Sequence, residues 1–418
     1  MKPRILRWRL IFLASTLSLL FLRAVELNDF APGFGKQSTE TLSNWAKRHA
    51  ETSLRGIKAG ELCSKAVDLF EQLAVYDISK KLALLHITSG KEVLIHTVTI
   101  DDFTANYMTH FVALLRTTLS RIDGNIYPLT FIVTSTAFAE EVGHSELFTT
   151  NNVSLFSSCM QPQTAKSYGV FIPRPYPARE RLVTIDKSLE KHIRFDTRKK
   201  KAIFRGALSS IDRAQLLKKV QSLRTAEKQW LDVNITKVPE GAPCAHDRQQ
   251  WCHDAPSTWV KTMNLSVGSQ SVYMSMKTQV REYTSVISVD GVGCADRLKA
   301  LLSSQSLVFK QTSSMYEFWY TDLRPWKHFV PVRQDFSDLV ERVSSLHRTR
   351  LFIRDEEVRT IITNAASKYV RKYVLNDESK SEYMHHIVLR YGKLVSGACP
   401  APSAARSFAE WHKTVKII

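Results

Sequence analysis

From Ala202 to Leu346, apolar runs of strand length alternate with stretches of helical spacing. That alternation predicts βαβ units, a parallel sheet and helices on both of its faces. The strand-like runs are Ala202–Phe204, Val286–Val289, Leu307–Lys310 and Phe329–Val332. The helical ones are Ala214–Leu223, a segment running to about Leu302, and Asp335–Leu346 with Asp335 or Ser337 as cap. Asn234–Thr262 is polar, aromatic and irregular, and reads as a long insert. Further helices are expected over Asp355–Val374 and Ser379–Val395. The first half carries its own α/β pattern. Leu82–Ile87 and Val93–Thr97 flank Ser-Gly-Lys, a hairpin signal, and are followed by a helical Tyr107–Leu119 and a strand-like Leu129–Thr134. Pro173, Pro175 and Pro177 in Ile172–Glu180 mark a linker or an extended crossing between the halves.

A chain of 418 residues, 44% hydrophobic and 23% charged, suits two ordinary globular domains and excludes a disordered or repeat architecture. The net charge of +18 favours anionic partners. No zinc-finger, homeodomain or basic-zipper pattern accompanies it, so nucleic acid is not an expected partner. The N-terminus carries Lys2, Arg4, Arg7 and Arg9, then the uncharged run Leu10–Leu22, closed by Arg23. That is a signal peptide or a short signal-anchor with a cytoplasmic basic tail. Both place the remainder in the secretory lumen, as a single-pass type II membrane protein or a secreted one. The C-terminus is not a retention tetrapeptide, which favours the Golgi over ER residence. The sequons at Asn152, Asn234 and Asn264 agree with a lumenal location. So do Cys63, Cys159, Cys244, Cys252, Cys294 and Cys399 as disulfide partners. Cys244 and Cys252 flank His246, and His253 follows Cys252, but C-x-x-C spacing is missing, so a local disulfide loop is expected rather than zinc.

In open α/β sheets, ligands bind beyond the carboxyl ends of strands. Two such ends carry suitable chemistry. In Phe204–Arg213, Arg205, Gly206, Ala207 and Ser209 form a turn, and Arg213 opens the next helix. Gly206 is expected to let the chain pass close to a ligand, and Arg213 to meet a phosphate. In Ser288–Lys299, a strand delivers Asp290 to a turn through Gly291, Val292, Gly293, Cys294 and Ala295, and Arg297 opens a helix. A third run, Glu317–Val332, offers aromatics for stacking on a base or sugar, and Glu317 for ribose hydroxyls. Each has a plainer alternative: a strand-to-helix turn with an exposed Arg, a lone glycine pair, a turn capping the core.

The order SVDGVGCADRLKALLSSQSLVFK, YEFWYTDLRPWKHFVPV, DFSDLVERV resembles glycosyltransferase family 90, which includes the Rumi-like protein O-glucosyltransferases and capsule-associated xylosyltransferases. The resemblance reaches back to FRGALSSIDR, with Ala207 where the family usually has Ser, and forward to SEYMHHIVLRYGKLV. It covers roughly Leu82–Val395. It implies an α/β chain of GT-B type: two facing Rossmann-like domains with the active site in their cleft. The implied donor is a UDP-sugar, held without a metal or other cofactor. The implied reaction is an inverting transfer of glucose or xylose to a protein or glycan hydroxyl. Arg213 matches the Arg that neutralises the leaving diphosphate, Gly291 through Arg297 the nucleotide loop, and Glu317 the Glu-aromatic motif. A descendant that binds but does not transfer is the alternative.

One departure concerns the catalytic base, which must take the acceptor's proton. Relatives place an Asp after a strand of the first domain. Here that position falls on Thr136 or Ala137 in Leu129–Gly143, and threonine is not a competent base. Glu140 and Glu141 are the substitute candidates, with Asp101 and Asp102 at another strand end. The expected organisation is a signal segment (1–25), a stem (26–60), an acceptor-side domain (61–180), a donor-side domain (181–375), a closing helix (376–397) and a tail (398–418).

Overall fold

Two sheets organise the chain, and their strand directions differ. The computed structural model describes residues 40–57, 62–136, 139–175, 197–240, 255–267, 273–347, 354–395, 399 and 401–414. The N-terminal run Leu10–Leu22, Ala137, Cys244 and Cys252 lie outside them. Among the described residues no helix is long and apolar enough to cross a membrane.

The helices include α1 (Leu42–Ser53), α2 (Leu62–Leu73), α3 (Asp102–Leu119), α4 (Ser145–Asn151), α5 (Pro162–Ser167), α6 (Ile211–Gln221), α7 (Pro256–Thr262), α8 (Leu298–Ser303), α9 (Leu339–His347), α10 (Arg354–Tyr369) and α11 (Asp377–Leu394). The first sheet contains β1 (Leu82–Ile87), β2 (Val93–His96), β3 (Leu129–Thr134), β4 (Leu155–Ser157), β5 (Gly169–Phe171) and, from the far end of the chain, β11 (Arg406–Ser407). Its order is β11-β2-β1-β3-β4-β5. It is mixed: β1 runs antiparallel to β2 and β3, whereas β3, β4 and β5 are parallel. The Ser-Gly-Lys hairpin forms as its residues predict, with Lys91 at φ 67 and its N–H on the Thr88 carbonyl.

The second sheet has β6 (Lys199–Ala207), β7 (Leu231–Lys237), β8 (Tyr283–Ser288), β9 (Leu307–Gln311) and β10 (Val330–Val332). Its order is β10-β9-β8-β6-β7, and every pairing is parallel. Successive residues face opposite sides, and both sides are covered. Ile203, Val286 and Val308 join one buried cluster, while Ala202, Phe204, Ile287 and Phe309 join another. Burial on both faces explains why these strands read as nearly continuous apolar runs.

Four strands escape the sequence patterns, among them the 2-residue β11 in the stretch assigned to a tail. β4 and β5 have 3 residues each, too few to show a period. β7 was divided by the insert assigned to Asn234–Thr262. Its Leu231, Val233 and Ile235 alternate with half-buried Asp232, Asn234 and Thr236, the period of an edge strand.

Leu42–Ile418 clusters as one compact unit, and its two halves share a core. The cluster holding Phe111 and Phe131 of the first half also holds Val286 and Trp319 of the second. α11 returns from the second half to pack on α1 and α3. Part of the stretch assigned to a stem is α1, whose Trp45, Ala46, His49 and Ala50 are buried. Trp45 stacks on Tyr373 at 5.0 Å. Asp322 accepts from Trp45 Nε1 (3.1 Å) and from both terminal nitrogens of Arg48 (2.9 Å each), with His49 Nε2 at 3.0 Å. Burial raises the Asp322 pKa, but the bonds from His49 and Arg48 more than offset it and hold the carboxyl well below its ordinary range.

Buried histidines make the fold acid-sensitive. Burial first, then Lys327 and Arg324, pulls His328 down to about 4; burial, then Arg359 and Lys200, pulls His347 down to about 3. A folded pKa below the unfolded value of about 6.5 means that the unfolded chain binds more protons. Stability is therefore full above pH ~6.5 and falls as pH drops towards the folded values. From pH 7.5 to pH 5 each histidine should contribute roughly 2 kcal/mol of destabilisation. A denaturant midpoint unchanged across that range would contradict this.

Candidate active site

Strand order locates the site. From β6 the chain crosses to β7 on one side, then to β8 on the other. Ligands of open α/β sheets bind at this reversal, outside the carboxyl ends of the two inner strands. The loops there are 208–210 after β6 and 289–297 after β8.

Arg213, in the first turn of α6, joins them. Ser210 caps α6 by accepting from the Arg213 N–H (3.4 Å) and donates its hydroxyl to the Asp290 carbonyl (2.9 Å). The Arg213 guanidinium donates to the carbonyls of Asp290 (3.0 Å), Ala207 (2.9 Å) and Val289 (3.3 Å), and to Ser209 Oγ (2.9 Å). Arg297 stands just before α8, donates to the Arg205 carbonyl at 2.6 Å and lies 4.8 Å over the Phe204 ring. Among the described residues neither guanidinium has a carboxylate partner within ion-pair distance. Burial, and secondly the neighbouring Arg297, pulls Arg213 down to about 9; burial pulls Arg297 down to about 10. Both remain charged at neutral pH. Both guanidiniums hydrogen-bond only neutral acceptors, and the nearby carboxylates of Asp290 and Asp212, which favour the charged form of Arg213, offset the buried positive potential only in part.

A cavity of about 280 Å³ opens against this pair, lined by Arg174, Ser209, Arg213 and Gly291 through Arg297. Of the residues selected from sequence, Ser209, Arg213, Gly291, Val292, Gly293, Cys294, Ala295 and Arg297 line it. Others are placed differently. Arg205 turns to Asp232, with an ion pair at 2.7 Å, because its carbonyl, not its side chain, faces Arg297. Gly206 lies within β6, and a Cβ there would meet Arg297 Nη2 at 2.7 Å. A Cβ on Gly291 would meet Arg213 Nη2 and Ser209 Oγ, each at 3.1 Å. Both glycines therefore make room for the protein's own arginines, and Gly291 also lines the cavity. Ala207 contributes its carbonyl to Arg213. Asp290 holds the loop, its Oδ1 accepting from the Ala295 N–H at 2.8 Å, while its buried Oδ2 makes no hydrogen bond among the described residues.

Sequence reasoning missed Arg174 and Asp296. Arg174 comes from the first half. It donates to the Cys294 carbonyl at 3.1 Å, pairs with Asp296 and lies 3.4 Å from Glu317. Its position in a Pro-rich run read as a linker gave no catalytic signal. Glu317 is buried and accepts from Trp319 Nε1 at 2.9 Å. Phe318, Trp319 and Tyr320 are buried in the shared core, which fits the core-capping alternative and not a stacking platform. The Cys159–Cys294 disulfide ties the loop to the first half, and Met160 and Tyr316 exchange two backbone bonds beside it (3.1 and 2.9 Å).

The base candidates do not line the cavity. Glu140 Oε1 accepts from the Gln161 N–H (2.7 Å) and the Thr164 hydroxyl, at the start of α5. Its buried Oε2 makes no hydrogen bond among the described residues. Burial raises its pKa, and the bonds from Thr164 and Gln161 oppose that. Glu141 is half-buried on the same turn. Thr136 bonds Thr134 Oγ1 at 2.8 Å. Asp101 caps α3 through the Thr104 N–H (2.7 Å) and pairs with Lys81, and Asp102 begins that helix.

The model of Glycosyl transferase family 90 matches residues 179–410, more than half of the chain. The chain belongs to this family. The match takes in both loops of the cavity, with Arg213 and Arg297. Among curated family 90 relatives, protein O-glucosyltransferase 2 of Danio rerio is 36% identical over 113 residues, 27% of this chain and 21% of its own length. Protein O-glucosyltransferase 3 of Rattus norvegicus is 47% identical over 62 residues, 15% of this chain and 12% of its own length. The O-glucosyltransferase rumi homolog of Aedes aegypti is 27% identical over 218 residues, 51% of this chain and 46% of its own length. Each alignment thus spans less than half of the relative.

Proposed function

We propose that this chain moves a sugar, glucose or xylose, from a UDP-sugar to a hydroxyl of a protein or glycan, with inversion. The supporting observation is the pair of buried guanidiniums, Arg213 and Arg297, facing a cavity at the reversal point of a parallel sheet. In this reading the two halves act as the facing domains of a GT-B enzyme. The parallel sheet holds the donor and the mixed sheet receives the acceptor. As the bond from the sugar C1 to the diphosphate breaks, its electron pair passes to the diphosphate oxygen. Preorganised cations beside that oxygen stabilise the developing charge. The two arginines supply charge that a metal supplies in other transferases, so the donor is held without one. The relatives' names supply the glucosyl and protein-acceptor parts of the reading. The basic and apolar N-terminus supplies the location, the Golgi or ER lumen with a membrane attachment or a cleaved signal.

The acceptor proton needs a base. Glu140, with its pKa raised and one bare carboxylate oxygen, is the candidate of suitable basicity. Its commitment to the start of α5 favours a second reading, a relative that binds the nucleotide and does not transfer. A screen of UDP release from the full chain across UDP-sugars separates the two. Release with at least one donor supports transfer. UDP binding without turnover on any donor supports the second reading and sinks the first.

Arg174 acts in this site by positioning. It fixes the Cys294 carbonyl, Asp296 and Glu317 from across the cleft. Losing charge-assisted bonds worth about 1.5–3 kcal/mol should loosen the loop. Arg174→Met should raise the donor KM roughly 10- to 100-fold with kcat little changed. An unchanged KM, or a loss confined to kcat, would remove Arg174 from this role.

A further inference from the structure

Three sequons occur, and the structure separates them. Asn234 lies on β7, half-buried, and its Nδ2 reaches Asp232 Oδ1 at 3.4 Å. Asp232 also holds Arg205 and the Tyr283 hydroxyl. A glycan on Asn234 would pull its amide out of that network. Asn152 follows α4 and is half-buried, while its sequon partner Ser154 is 2% exposed and bonded to the buried Tyr391.

Asn264 differs in each respect. It is exposed, and so is Ser266. It sits just past α7 at φ 51, with its N–H on the Lys261 carbonyl (3.2 Å) and the Leu265 N–H on the Val260 carbonyl (2.9 Å). That is a Schellman ending, in which Asn tolerates the left-handed position. Buried Leu265 anchors the turn in the core. Gln221 holds the Ser266 backbone on the other side, at 3.2 and 2.5 Å. The sequon is thus fixed at its backbone and open at both side chains. Among the described residues the Asn264 amide makes no hydrogen bond.

We infer that Asn264 carries an N-linked oligosaccharide, an inference that rests on the lumenal location proposed above. The donor class is a lipid-linked oligosaccharide diphosphate. The Asn264 Nδ2–C1 bond forms, the C1–O bond to the diphosphate breaks with its electron pair leaving on the diphosphate, and the amide gives up one proton. A helix-stop role alone also accounts for Asn at φ 51, so the test spares that residue. The full chain is translated with ER microsomes, protease protection reports translocation, and peptide N-glycosidase reports glycan. Protected wild-type chains should carry one removable glycan. Ser266→Ala, which keeps Asn264, should lose it, as should Asn264→Gly, which suits the left-handed turn. Asn152→Gln and Asn234→Gln should retain it. Protected chains without glycan, or glycan retained in Ser266→Ala, overturn the inference with the location intact. Chains digested despite the microsomes overturn the location, and the glycan with it.

Discussion

Replacing Arg213 with Gln should weaken UDP binding by roughly 30-fold to several thousand-fold, the range expected when about 2–5 kcal/mol of buried charge pairing is lost. Arg213 does two things at once. Its charge faces the cavity, and its donors hold the carbonyls of Ala207, Val289 and Asp290. Truncation to Ala therefore removes charge and also leaves buried carbonyls without donors, at about 1–3 kcal/mol each. Gln and Lys separate these effects. Lys keeps the charge but not the branched donor geometry, so it should retain more affinity than Gln while losing comparable stability. Equal affinity in Lys and Gln variants would show that Arg213 only shapes the loop. Wild-type affinity in both would remove it from the site.

Removing the Cys159–Cys294 disulfide is the second large effect. The bond joins residues 135 apart and connects the end of β4 to the 289–297 loop. Loop-closure entropy for that separation is ~5 kcal/mol, and native disulfides typically contribute 2–5 kcal/mol. The double Cys159→Ser, Cys294→Ser variant should therefore lose 2–5 kcal/mol of stability and about 10-fold in UDP affinity, as the loop gains freedom. The Cys63–Cys399 bond gives the control. It spans 336 residues and lies away from the cavity-lining residues. Its removal should cost similar stability, while UDP affinity of the folded fraction stays as in the wild type. If both variants lose affinity alike, the Cys159 tether has no special hold on the loop.

The parallel sheet was legible because burial on both faces turns β6, β8 and β9 into apolar runs. The positions of Arg213 and Arg297 followed from the strand ends. What each residue does there was less legible, since spacing carries no direction. Gly206 is a place for close approach to a ligand by its residue type, and the structure shows that it and Gly291 also make room for Arg297 and Arg213. Arg205 was read beside them, but alternation along β6 sends its side chain to Asp232. Arg174 was hidden because its partners, Cys294, Asp296 and Glu317, stand more than 100 residues away in sequence. α1 was read as stem since its mean polarity is high, although Trp45, Ala46, His49 and Ala50 form one buried stripe. The base stayed open in both views, because Glu140 is a plausible acid–base group by its burial and a helix-end acceptor by its bonds.

The central claim is that two buried guanidiniums without a carboxylate in direct contact form a nucleoside-diphosphate site. Calorimetric titration of UDP into the full chain, beside Arg213→Gln and Arg297→Gln variants shown to be folded, tests it most directly. The account predicts binding by the wild type and losses of roughly 30-fold or more in each variant. A wild-type chain that does not bind UDP, or variants that bind it as well as the wild type, would contradict it.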